Sequence, residues 1–181
     1  MLDNLAQLHS AIIDGLRAKL DGIPTVDAYP VIRRRVQLPA VLVELSEMEP
    51  GKDPGTGETA LVGRFQARAI VDPNLNAADM QVRELAARIA VAITHETWSL
   101  PIGSARLVQV GEDAFRPELD GYMVWVVEWT HEFHLGATVW PYPDETGLTV
   151  MLGLYPETGA GRENRYWPEN GEPPEHWGEQ P

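Results

Sequence analysis

Residues 122–135, YMVWVVEWTHEFHL, keep a two-residue alternation through the whole stretch. A pattern that long points to a β-strand, because successive side chains of a strand face opposite sides. At strand rise it spans about 46 Å, whereas a domain of this size has a radius of gyration of about 14 Å. The strand is therefore expected to traverse the whole domain and to extend out of it. Trp125, Val127, Trp129, His131, Phe133 and Leu135 fall on one face. Val124, Val126, Glu128, Thr130, Glu132 and His134 fall on the other.

The end of this strand, EWTHEFHLG, gathers imidazoles and carboxylates. A zincin helix needs H-E-x-x-H, with both histidines on one helical face. Here His131 is followed by Glu132, Phe133 and His134, so the spacing is one short and Leu135 holds the required slot. On a strand the two histidines point apart. Glu128, Glu132 and His134 do share a face, which leaves a metal-dependent enzyme as an alternative, but no third ligand is indicated elsewhere.

Other catalytic patterns fail. GKDPGTGET has Glu58 after Gly57 where a phosphate-binding loop needs lysine, and a carboxylate there repels phosphate. No G-x-S-x-G elbow occurs. The chain has no cysteine, which removes disulfides and thiolate ligands. No enzymatic activity and no cofactor are expected.

The rest of the chain supplies partners for the long strand. Residues 4–20 read as an amphipathic helix, with Leu5, Leu8, Ile12 and Leu16 in a stripe, Asp3 or Asn4 as cap and Gly22 beyond its end. TVDAYP reads as a short edge strand ended by Pro30. Residues 40–48 and 59–71 alternate as strands on either side of a Gly/Pro-rich acidic loop at 47–58, making a long hairpin. A second helix follows DPNLN, with Asn76 as N-cap and Val82, Leu85, Ala86, Ile89 and Ile93 buried. SARLVQV is a further strand. The expected fold is α+β: two helices packed on a mainly antiparallel or mixed β-sheet with a long β-hairpin, plus an extended C-terminal arm.

The arm, residues 137–181, follows a body at 1–136. It holds seven of the fifteen prolines, three of the six tryptophans, and eight acids against two arginines. Such a segment cannot build a core alone. LTVMLGLY, residues 148–155, is apolar on both faces and reads as a strand or hook that wants a partner surface. Trp140, Tyr155, Trp167 and Trp177 read as anchors along the arm.

Net charge is −13, so the chain is a poor general nucleic-acid binder. Its acidity suits a surface past which DNA slides without sticking. Arg33, Arg34 and Arg35 form the one basic cluster, read as a solvated strand edge or a salt-bridged subunit surface. No apolar run is long enough to span a bilayer, and the N-terminus lacks the basic region of a secretory signal, so neither membrane insertion nor export is expected.

Long strands that outrun their core tend to pair with neighbours. The LHSAIIDGLRAKL helix, LPAVLVELSE leading into the acidic loop, FQARAIVDP before LAARIAVAI, and the closing VWVVEWTHEFHLG together resemble the tail terminator, or tail-completion, proteins of long-tailed bacteriophages. The resemblance covers residues 1–136 and lies in element order and texture. It implies a homo-oligomer, a hexameric ring of α+β subunits at the head-proximal end of the virion tail, assembled in the host cytoplasm. Such a ring caps the tail tube protein, stops its polymerisation and presents a docking face to the head–tail connector, while DNA passes through without specific binding. The alternative within the particle is a head-side connector or neck protein. The interface candidates are Arg33, Arg34, Arg35, Lys52, Asp53, Glu58, Trp125, Trp129, Trp140, Tyr155, Trp167 and Trp177.

Overall fold

The structure is a computed structural model and describes residues 2, 4–29, 36–113, 119, 121–139, 149–154 and 158–171. Arg33, Arg34, Arg35, Trp140, Tyr155 and Trp177 lie outside the described residues.

The fold is α+β. Helix α1 (Leu5–Lys19) is capped by Asn4, whose side chain accepts from the Gln7 amide at 2.9 Å. Strand β1 (Thr25–Ala28) comes next. Strands β2 (Ala40–Pro50) and β3 (Thr59–Val71) form the hairpin, and helix α2 (Ala78–Ile93) leads to β4 (Arg106–Glu112) and β5 (Met123–Leu135). The sheet order is β1-β2-β3-β5-β4, with β1 parallel to β2 and the other neighbours antiparallel. The long strand therefore lies inside the sheet, paired with β3 along its full length from Met123↔Val71 to Leu135↔Thr59.

Strand alternation sorts the sheet into two faces. Val41, Val43, Phe65, Ala67, Ala69, Val71, Val127, Trp129 and Phe133 join the stripes of both helices in the main core. The opposite face carries a smaller cluster of Ala40, Leu42, Ile70, Leu119 and Val124, packed by Tyr29, Val36 and Leu38. The apolar face expected for β5 is thus the helix-covered one, with His131 buried among its aromatic neighbours.

Three local expectations are corrected. Asn76 does not cap α2: the cap position is Ala77, in the left-handed region at φ 53°, with no capping side chain. The Asp72 turn takes the chain there, with Asp72 Oδ1 accepting from the Asn74 amide and the Asp72 carbonyl from the Leu75 amide, and Gln81 donates to the Asn76 carbonyl. The acidic loop starts later than 47, because β2 continues to Pro50 and only 51–58 turn. The link after SARLVQV is shorter, since Gly111 and Glu112 extend β4.

The chain divides into two compact units, residues 1–140 and 141–181. In the second, Met151–Leu152 (β6) pairs antiparallel with Trp167–Pro168 (β7), with a 3₁₀ turn at Glu163–Arg165 between them. Of the expected 148–155 strand, those two residues pair.

Candidate functional site

Strands β3 and β5 are much longer than the helices that pack on them. Strands β3 and β5, at thirteen residues each, run about 43 Å, while the sixteen-residue α2 runs about 24 Å. β1 covers only Ala40–Val43 of β2, and β4 pairs with β5 only at residues 125–130. Residues 44–50, 59–64 and 131–135 therefore form a three-stranded arm past both neighbours. Their helix-side face is apolar, through Leu45, Leu61, Phe133 and Leu135.

The arm's other face is an ion ladder. The β2–β3 register shifts between Leu45 and Glu47, so Ser46 is an extra residue and its hydroxyl donates to the Arg64 carbonyl. A bulge of one residue flips the facing of every later residue in the strand. Glu47 then pairs with Arg64 and Glu49 with Val62, on the face that already holds Glu44. Glu47 and Glu49 approach the Arg64 guanidinium at 3.4 and 3.6 Å, and Arg64 donates to Glu128 at 2.7 Å. The Glu128 hydrogen bond, then its charge, raises the Arg64 pKa. Gln66 donates to the other Glu128 oxygen at 2.7 Å and accepts from Arg68 at 2.8 Å. Arg68, 1% exposed, ends the ladder between Glu44 (2.9 Å) and Asp113 (2.7 Å), with the Tyr29 ring 4.8 Å away.

Two residues of the metal alternative have other partners. Both Glu128 carboxylate oxygens are occupied by Arg64 and Gln66, and Glu132 pairs with Arg106 at 3.0 Å. Among the described residues, no group of three or more His, Asp or Glu is placed to hold a metal ion. His131 serves the core. Its Nε2 accepts from the Trp98 indole N–H at 2.9 Å and its Nδ1–H donates to the Gly103 carbonyl at 2.8 Å. Burial lowers its pKa, with the Gly103 bond pulling the other way.

The tip of the arm is clipped by the chain leaving β5. The Val139 amide donates to the Thr56 carbonyl at 2.7 Å, the Thr138 hydroxyl donates to the same oxygen, and the Val139 side chain fills the space above Gly57. Lys52 and Asp53 are exposed at this tip, with Asp53 accepting from the Gly55 amide. Glu58 is half-buried and accepts from the Thr56 hydroxyl.

The tryptophan candidates separate. Trp125 is half-buried with Arg83 over its ring at 5.7 Å. Trp129 is fully buried and stacks on Phe65 at 5.7 Å, so it is a core residue and drops out as an interface anchor. In the alternation it shares a face with Val127 and Phe133, and the structure makes that face the core one. Trp167 is half-buried in β7.

One surface was missed: β4. Leu107, Val108 and Val110 are 48%, 48% and 37% exposed on an edge strand. The other open edges are guarded. On β1, Arg17 donates to the Val26 carbonyl and Asp27 accepts from the Ala28 amide. On β2 the free stretch is bulged and carries Glu47 and Glu49. On β5, the Gly103 amide bonds the Glu132 carbonyl. Charges, bulges and covering segments are how sheets block unwanted pairing. β4 has a bulge at Val108 but an apolar edge.

Comparison with known protein families and with curated protein sequences gives no match.

Proposed function

We propose that the chain is a structural ring subunit of the tail-terminator kind. Copies associate side by side around a central hole, one face of the ring caps the tail tube, and the other receives the head–tail connector. The observation that carries this reading is the three-stranded arm. Strands nearly twice as long as α2 carry an acid-faced hairpin end past β1 and β4, its other face packed on the main core through Leu45, Leu61 and Phe133, with a tip fixed by Thr138 and Val139. Such an element offers a fixed shape to a neighbouring protein. Rigid elements are better platforms for docking than free loops, because less order is lost on binding.

The charge fits the passage of DNA. With −13 overall and Arg64 and Arg68 engaged by carboxylates, the described surface has little to offer phosphates. No described helix is long and apolar enough to cross a membrane. Deleting the gene from the phage and imaging lysates by electron microscopy tests the reading. Overlong tails without heads are expected; tails of normal length joined to heads refute termination. Tails of normal length without heads would instead favour the connector role.

A further inference from the structure

We propose that β4 receives the C-terminal β6–β7 ribbon of a second copy as added strands, so that each subunit's sheet is completed by its neighbour. The direction of the contact rests on the ring reading, because a head-to-tail donation repeated around a circle closes into a ring.

The receiving side is defined by contrast. Every other open edge of the sheet among the described residues is blocked by a side chain, a bulge with acids, or a backbone bond. β4 presents Leu107 and Val110 on the helix-side face, where they pair with Trp129 and Val127, and adds Val108 at the bulge. An apolar open edge is a template for another strand.

The donating side shows the matching pattern. Met151 and Leu152 pair in β6, and successive side chains of a strand face opposite sides. Gly153 lies against the Tyr166 ring, where a Cβ would meet ring atoms at 2.6 Å, while Met151 is exposed. Val150, Leu152 and Leu154 fall on the opposite side, and all three are exposed. Leu152 pairs with Trp167, which adds an indole to the same face. A two-stranded ribbon with two residues paired per strand is marginal in water by itself and needs a sheet or core to lean on. The donor thus offers the exposed apolar side chains Val150, Met151, Leu152 and Leu154, and the acceptor offers three on one edge.

The connecting chain is long enough. Between Val139, the last residue held at the hairpin tip, and Val150 lie ten residues, which reach up to about 35 Å when extended. The ribbon can therefore reach the β4 edge of a copy standing within that distance.

The chain has no cysteine, so a designed pair reports without background. In the full-length protein, Val108→Cys together with Leu152→Cys is expected to give, on mild oxidation, a ladder of covalent species from dimer upward. Either single variant is expected to give none. A cross-link confined to one chain, or no cross-link, overturns the proposal.

A second measurement covers the surfaces themselves. Leu107→Glu/Val110→Glu and Leu152→Glu/Leu154→Glu should each sediment as monomers with native circular dichroism. Mixed in equal amounts they should form a one-to-one heterodimer, since each mixture retains one intact donor and one intact acceptor. Monomeric wild type at all concentrations, or no recovery on mixing, sinks the idea. These readouts use purified protein, so they fail independently of the tail-length experiment.

Discussion

At the scale of single residues, two buried polar groups hold this sheet, and they respond to different stresses. His131 is neutral in the fold, because its Nε2 must keep a lone pair for the Trp98 indole while Nδ1–H serves Gly103. The loop it fastens is unusual, with His95, Trp98 and Ser99 all at positive φ. The groups facing it are few: β3 offers Gly63 and Phe65, and Lys19 reaches the far side of Trp98 while paired to Glu96. Because burial lowers the folded pKa below the unfolded 6.5, the unfolded chain binds more protons. Stability from this site is complete above pH 6.5 and is lost as pH falls toward the folded pKa. Melting followed by circular dichroism should show the midpoint falling from pH 7.5 to pH 5. His131→Leu should flatten that dependence while costing about 1–3 kcal/mol at pH 7.5 by stranding the indole N–H; an unchanged slope would remove His131 as the titrating group. Arg68 is the other case. Removing it takes a buried guanidinium from Glu44 and Asp113, so Arg68→Ala should lower stability in urea titrations. Replacing the set together, as E44Q/R68M/D113N, should recover most of that loss.

At the scale of elements, the sequence carried the strands and helices clearly but not their irregularities. The period of two in residues 59–71 and 123–135 survives intact in the structure, and so does the stripe of α1, because each pattern is enforced over many residues by one buried face. The ladder was not legible for a specific reason. Glu44 and Glu47 have opposite parity in the sequence, and only the extra residue at Ser46 brings them to one face with Arg64. A bulge leaves almost no mark in a pattern of apolar positions. The same holds for β4, where Val108 breaks the register and Leu107 and Val110 then share a side. The exposure of that edge depends on where α2 stops covering the sheet, which is a tertiary fact. The clip at the hairpin tip was likewise invisible, since Thr56 and Val139 are far apart in the chain. Gly57 sits at φ 84°, and a Cβ there would meet Val139 at 2.7 Å. Gly57→Ala should therefore expel Val139. Hydrogen exchange should rise in residues 51–58 and 137–139, with β3 and β5 near the core unaffected; protection spread evenly or unchanged would show that Val139 does not hold the tip.

At the scale of the whole molecule, the boundary between body and arm falls later than the glycine at 136 suggests. Thr138 and Val139 belong to the first unit by their bonds to Thr56, and the compact unit runs to residue 140. Two truncations differing by four residues should therefore behave differently. A chain ending at 140 keeps the clip, the ladder and both cores. It should melt cooperatively near the full-length midpoint, because no core residue described in the first unit lies beyond it. A chain ending at 136 loses two donors to the Thr56 carbonyl and the Val139 contact. Its core should remain, yet its tip should exchange faster and become the preferred site of proteolysis, as expected for a glycine-rich turn released from its tether. Both truncations lack the β6–β7 ribbon, so both should be monomers if that ribbon joins neighbouring copies. The chain ending at 140 is the informative one: native folding with lost association assigns the arm to assembly, whereas a 1–140 chain that still associates like the full-length protein places the subunit contact within the body.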